Sequence, residues 1–399
     1  MSIRLKYLVK ERDRRGEVSE DVLSVYRDLG VVHKSDRSDN FNKTPEDLSN
    51  YKLVVPGDVV VNKMKAWQGS IAVSPYRGIV SGDYLVCEVG RAVEPRYLHY
   101  LLRSHPMIGE YRRRSTGIRP SQWRLYWEDF GQIPVDMPDK AVQEAVAVYL
   151  DAETSRIDAL IIKKRRMIEV QDERWRATMA AGVCGELLGL PPSSPTSIAW
   201  LSTKPAGWRR AKLNLIARLG SGHTPSRQHP EWWEDTTIPW ITTGEVSQVR
   251  DDRREYLTET REKISAIGLA NSAAELHPAD TVVLCRTASA GYSAIMGMDM
   301  ATSQDFATWT CGPLLRPRFL LLCLRVMRQD LLGRLAMGST HKTIYMPDIE
   351  SIVIPLPSVE IQDAVVEAVY SRLSTRAPTC SRARSTCSLN TVRRSSPPR

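Results

Sequence analysis

The sequence predicts an α+β fold made of two tandem mixed α/β domains, each followed by a long helix, and three observations predict it. The first is a stretch from Asp139 to Ala181 with no Pro or Gly, in which Leu150, Thr154, Ile157, Ile161, Lys164, Ile168, Gln171 and Trp175 recur by fours and threes. That spacing lays one apolar seam along an α-helix while Asp151, Glu153, Lys163, Arg165, Arg166 and Glu173 fall elsewhere. At about 1.5 Å per residue, roughly 40 residues make a rod of roughly 60 Å, which needs a partner helix along its seam. The second observation is an internal repeat. Pro56, Asp58, Val60 and Val61 recur at one constant offset as Pro278, Asp280, Val282 and Val283, and Gly69 and Ala72 recur as Gly291 and Ala294. Ser81, Asp83, Tyr84 and Gly90 recur as Ser303, Asp305, Phe306 and Gly312, and Pro95 to Leu98 as Pro317 to Leu320. Asp129, Ile133, Pro138, Gln143 and Ala145 follow as Asp348, Ile352, Pro357, Gln362 and Ala364. A unit this long holds its own core, so the repeat reads as a domain pair rather than a solenoid. The third observation is short β-rich runs punctuated by turn residues, such as Pro56-Gly57 before Asp58 to Val61 and Gly69 before Ile71 to Val73.

In chain order, a first globular domain covers 1–137, with a short helix at Pro95 to Leu102 that opens on a proline. The long helix follows at 138–189. Pro191, Pro192, Pro195 and several serines mark 190–204 as a linker. The second domain covers 205–356, and the start of a second helix 357–373. From Ser374 to Arg399 the Ser/Arg/Pro composition has no helical period, so a disordered basic tail is expected.

Composition narrows the function. The net charge is +9, but Arg376, Arg382, Arg384, Arg393, Arg394 and Arg399 lie in that tail with no acid, leaving +3 for the rest of the chain. Local cation clusters therefore say more about an anionic partner than the total does. No apolar run of about 18 residues indicates a membrane span, and the basic start of the chain has no apolar segment behind it, so a cytoplasmic location is expected. Seven scattered cysteines without a C-x-x-C pair fit reduced thiols. No metal site is expected, because the seven histidines are scattered and H-E-x-x-H is missing. Gly220 and Gly222 lack the G-K-[ST] ending of a phosphate loop and the third glycine of a dinucleotide loop.

Between Tyr111 and Trp127, Arg112, Arg113, Arg114, Arg119 and Arg124 stand with Gln122, Trp123 and Tyr126 and no acid. Guanidinium groups fork onto phosphates or guanine and glutamine grips adenine, so these residues make a candidate DNA-facing loop. The alternative is a solvated basic loop whose aromatics belong to the core. Lys63, Lys65 and Gln68, with Trp67, form a second cluster. In the second copy the candidates are His223, Thr224 and Arg227, the loop residues Ser339, Thr340, His341 and Lys342, and Arg286, which aligns with Met64. The two copies keep their apolar frame while their candidate reading residues differ, which predicts two different half-sites.

Several of these stretches carry a resemblance: Ser81-Gly-Asp-Tyr84 with Ser303-Gln-Asp-Phe306, Ile354-Pro-Leu-Pro357 followed by Gln362, Gly338-Ser-Thr340, and Ile238-Pro-Trp-Ile-Thr242. Over about residues 1 to 373 the chain resembles the specificity subunit of type I restriction-modification systems. The resemblance implies that each globular copy is a target recognition domain, similar to the DNA-reading domain of N6-adenine methyltransferases. It implies that the two helices pair antiparallel as a coiled-coil spacer docking methylase subunits, with a restriction subunit completing a complex that methylates or cleaves double-stranded DNA. The chain itself would then bind no cofactor, with S-adenosylmethionine, ATP and Mg on partner subunits.

The helix that should mirror Leu150 to Trp175 does not follow Leu373, so the second helix is expected to be truncated. Self-association into a homodimer through the bare seam of Leu150, Ile157, Ile161, Ile168 and Trp175 is the expected substitute. Two other function classes compete. A stand-alone methyltransferase requires an Asn- or Asp-Pro-Pro-aromatic tetrapeptide, which is missing, and no nuclease carboxylate set is formed. A protein-only scaffold would bind no DNA at any salt concentration.

Overall fold

The computed structural model describes residues 2–36, 44–119, 122–191, 194–336 and 342–374. It forms two compact units, Met1–Arg165 and Arg166–Arg399, whose boundary falls inside one helix. The fold is α+β in both. In the first unit an antiparallel four-stranded sheet runs in the order Val9–Glu11, Tyr84–Val89, Val59–Asn62, Ile71–Val73. In the second, Ala217–Ser221, Phe306–Cys311, Val282–Cys285 and Ser293–Met296 repeat that order, and Tyr256–Leu257 is added in parallel at the edge. A two-stranded ladder between the first strand and the segment before the final helix also recurs, Ser2–Arg4 with Pro134–Asp136 and Arg209–Lys212 with Val353–Leu356. The two halves are thus one topology built twice.

The central strand is buried on both faces, which explains its run of Val and Leu rather than an alternation. Val59 and Val61 face one core and Val60 the other, and all three are fully buried. The backbone corrects the sequence alignment here. Val60 pairs with Ala72 and Val86, whereas Val283, not Val282, pairs with Ala294 and Thr308. The central strand of the second unit is therefore displaced by one residue from the alignment, because a strand face sets the register and a one-residue slip would bury the wrong side. Asp58 and Asp280 match in letter only. Asp58 is buried against Arg12 and accepts from Val55 N–H at 2.9 Å, while Asp280 is exposed at φ +64°, the conformation that Gly57 adopts at +94°. Aspartate tolerates that left-handed region better than most residues.

The long helix is Lys140–Val183, 44 residues or about 66 Å. It starts where Asp139 accepts from Val142 N–H at 2.9 Å and ends before Gly185, which takes φ +83° as its terminating residue. Its N-terminal part packs in the first unit, where Tyr100 and Arg96 bond Asp151 at 2.7 and 3.0 Å. Its C-terminal part belongs to the second, with Met179 and Val183 in the main core. There Gly182 meets the final helix, Val359–Ser374, so closely that a Cβ would lie 2.3 Å from Val369 Cγ2.

Both final helices are tied down by the same glutamine. Gln143 accepts from Glu94 N–H at 2.9 Å and donates to Pro138 O at 2.8 Å. Gln362 accepts from Arg316 N–H at 2.8 Å and donates to Leu314 O and Pro357 O at 2.9 and 3.0 Å. Both side chains are buried, so Gln362→Leu leaves one donor and two acceptors without partners. It is expected to cost about 2 kcal/mol, read as a lowered denaturant midpoint. An unchanged midpoint would rule this anchor out.

Two expectations are corrected. The stretch 190–204, read as a linker, carries a hairpin of Ser194–Ile198 and Leu201–Lys204, and Trp200 Nε1 bonds Val353 O at 2.9 Å. Trp175, read as a seam residue, packs half-buried on the main core of the second unit, with the Arg253 guanidinium 5.5 Å from its ring. Ile157, Ile161 and Ile168 are exposed at 52, 42 and 57%, and Leu150 is half-buried. The tail from residue 375 onward lies outside the described residues. The five described cysteines are free, Cys87, Cys285 and Cys323 being buried. No helix among the described residues is long and apolar enough to cross a membrane.

Candidate nucleic-acid interface

In each unit the end of the central strand gathers three segments distant in sequence. In the first unit Lys63 N–H donates to Asp83 O at 3.1 Å and Lys63 O accepts from Leu125 N–H at 3.0 Å. In the second, Arg286 N–H donates to Asp305 O at 2.7 Å and Arg286 O accepts from Ile344 N–H at 2.8 Å. Arg286 is therefore the counterpart of Lys63, not of Met64. One cation stands at the same backbone position in both copies, where the strand, the Ser-x-Asp turn and the loop before the last strand meet.

Around Lys63 the sequence clusters converge. Asn62, which the sequence did not single out, bonds Tyr84 OH through Nδ2 at 3.2 Å and receives Met64 and Lys65 N–H on Oδ1 at 3.1 and 3.2 Å, which fixes the turn carrying Lys65. Trp67 donates to Met64 O at 3.1 Å and meets Trp123 edge-on at 5.6 Å, joining the 63–68 turn to the Arg-rich loop. The Arg112 guanidinium lies 6.0 Å from the Trp67 ring. Both tryptophans are half-buried, so they act as frame, while Lys65, Gln68, Arg112, Arg119 and Gln122 are exposed. Burial, with Lys52 and Arg124 adding repulsion, lowers the Lys63 ammonium pKa. A nearby anion favours the charged ammonium and so opposes that shift. A groove of about 1040 Å³ opens here, lined by Arg27, Lys34, Lys65, Trp67, Gln68 and Arg112 among others.

Not all of the Arg run is available. Arg113 and Arg114 hold Glu110 at 2.7 and 3.1 Å, and these bonds, that of Arg113 foremost, lower the Glu110 pKa. Arg124 sits 3.2 Å from Asp83. Arg112 and Arg119 have no carboxylate partner among the described residues.

In the second unit, Gly222 lies so close to Thr302 that a Cβ would be 1.9 Å from its carbonyl oxygen, and His223 N–H donates to that oxygen at 3.0 Å. This holds His223, exposed, and Thr224 beside the turn 303–305, where Thr224 Oγ1 donates to Gln304 Oε1 at 2.6 Å. Arg286 caps Gln304 O through Nε and Nη2 at 3.2 and 2.9 Å. Gln304 lies inside the Ser303–Phe306 motif, and only the fold places it beside Thr224 and Arg286. Arg227, by contrast, is engaged by Glu262 at 3.3 Å and stacks 4.3 Å from the Trp233 ring. Lys342 donates to Leu332 O at 3.1 Å. Ser339, Thr340 and His341 lie outside the described residues. Among the described residues no group of three or more His, Cys, Asp or Glu is placed to hold a metal.

The family described as the type I restriction modification DNA specificity domain matches residues 205–371. The type I restriction enzyme EcoR124I/EcoR124II specificity subunit of Escherichia coli is 21% identical over 375 residues, 91% of this chain and 81% of that subunit. The type I restriction enzyme MjaIX specificity subunit of Methanocaldococcus jannaschii is 24% identical over 162 residues, 40% of this chain and only 37% of that subunit. Among solved structures, a chain reported under the structural basis of complex assembly and conformational transition of the type I R-M system matches with TM-score 0.62 and 16% identity, covering 94% of this chain and 91% of that one. The HsdS subunit from Thermoanaerobacter tengcongensis matches with TM-score 0.51 and 16% identity over 95% of this chain and 92% of its own. Both are likenesses of fold.

Proposed function

We propose that this chain is a type I restriction-modification specificity subunit, its residues 205–371 matching that DNA specificity family, and that each of its two units reads one half of a split duplex target. The observation carrying this reading is the repeated junction: one cation, Lys63 or Arg286, at the same point of the same topology, ringed by side chains that differ between the copies. Phosphate contacts from such cations set register, and a few exposed side chains read base edges. Half-sites on one face of B-DNA lie about one turn, ~34 Å, apart, and a stiff helix suits a fixed gap of that kind. Linking two moderate readers multiplies their selection.

In this reading the chain is not catalytic. Methylase subunits dock along the long helix and carry S-adenosylmethionine, while a restriction subunit brings ATP and Mg chemistry, all in the cytoplasm. The purified chain is expected to shift duplex DNA with an affinity that falls steeply with salt, and to give blank methylation and cleavage assays. No shift at low salt, even with methylase added, would sink the reading in favour of a scaffold, and catalysis by the purified chain would replace it with an enzyme.

The exposed Ile157, Ile161 and Ile168 favour one addition. Without methylase, two copies are expected to pair through this face and run as a dimer in light scattering. A strict monomer at micromolar concentration counts against it.

A further inference from the structure

Resting on that function, we infer that Gln304 is a base-reading side chain of the second unit, held ready by Thr224 and Arg286. The turn at 303–305 has its own framework. Ser303 Oγ donates to Asp305 Oδ2 at 3.1 Å, Phe306 N–H donates to Ser303 O at 3.2 Å, and Arg286 N–H donates to Asp305 O. None of these bonds uses the Gln304 side chain. The first unit builds the same turn with Gly82, where Tyr84 N–H donates to Ser81 O at 3.1 Å and Lys63 N–H to Asp83 O at 3.1 Å. The fold therefore needs no side chain at this place.

The glutamine is exposed, yet fixed at both ends. Thr224 Oγ1 holds its Oε1 at 2.6 Å, and Arg286 clamps its carbonyl. A purely local explanation would have Gln304 pin the segment around Thr224 to the turn. That segment is already pinned by the close approach of Gly222 to Thr302 and by the His223 main-chain bond. What the Thr224 bond adds is a held position for the amide oxygen. Nε2 keeps two N–H donors without a partner among the described residues, and Oε1 keeps acceptor capacity. An amide so presented matches the N7 and N6 edge of adenine in the major groove. A position held before binding lowers the entropy cost of forming that pair.

The test is methylome sequencing of cells carrying the full chain with its cognate methylase, comparing wild type with Gln304→Glu and Gln304→Ala. Gln304→Glu keeps the size and the acceptor for Thr224 but removes both donors. In each variant, preference at one base position of one half-site is expected to fall by roughly 5- to 150-fold, with the other half-site unchanged. If all three chains modify one and the same motif to the same extent, this inference is overturned and the function proposed above stands. A wild-type chain that modifies no split motif overturns both. Thermal melts accompany the comparison, and a variant that unfolds early instead marks Gln304 as structural, which also overturns the inference.

Discussion

Replacing Asp252 by asparagine is expected to destabilise the second unit by about 3 kcal/mol, because it leaves the buried Arg325 and the half-buried Arg328 beside each other without a counter-charge. The Arg325 side chain is fully buried, 3.6 Å from the Asp252 carboxylate, and donates to the main-chain oxygens of Asp252 and Arg254 at 2.6 and 2.5 Å. Arg328 forks onto both carboxylate oxygens at 2.7 and 2.5 Å, donates to Gly291 O at 2.8 Å, and lies 4.3 Å from the Tyr292 ring. Burial lowers the Arg325 pKa and the nearby Asp252 charge opposes that shift. Asparagine separates this charge effect from backbone strain: Asp252 sits at φ +57°, which Asn tolerates at least as well, whereas Ala would add strain. Hydrogen exchange at Val282–Cys285 reads the second unit alone. Protection equal to wild type would show that the main-chain oxygens of Asp252, Arg254 and Gly291 satisfy both arginines without the carboxylate charge.

Neutralising Lys65, Arg112 and Arg119 together is expected to flatten the salt dependence of DNA binding by about 2.7 in slope, at about 0.9 per phosphate contact. Between about 50 and 200 mM salt that amounts to roughly a 40-fold smaller loss of affinity. These three side chains are exposed and have no carboxylate partner among the described residues, so alanine leaves the core alone. Arg113→Ala with Arg114→Ala is the control, since both are already engaged by Glu110. If the control pair flattens the slope as much as the triple, the distinction between free and engaged arginines fails. If neither does, the groove beside Trp67 is not where phosphates bind.

Much of this architecture was legible without coordinates. A 44-residue helix has a period too long to miss, and the recurrence of Pro, Gly, Asp and Gln at fixed spacing marked the duplication because those residues serve backbone positions that few others can fill. Gln143 and Gln362 are the clearest case: burial with no polar substitute forces the same letter twice. The candidate cations were visible as types but not as a set. Arg113, Arg114, Arg124 and Arg227 looked equivalent to Arg112 and Arg119 in sequence. Glu110 lies one helical turn before Arg113 and Arg114, just outside the acid-free run, and Asp83 and Glu262 sit 41 and 35 positions from their arginines.

By itself, then, the sequence determined that there are two copies, where the long helix runs, and which residue types could meet a polyanion, because periodicity and composition are local properties of the chain. Only the tertiary structure decided that Lys63 and Arg286 are counterparts, that Gln304 stands beside Thr224, and that part of the apolar seam faces the chain's own second unit at Trp175. Strand register is set by which face of Val59–Asn62 or Val282–Cys285 is buried against which core, and that choice is made by residues tens of positions away.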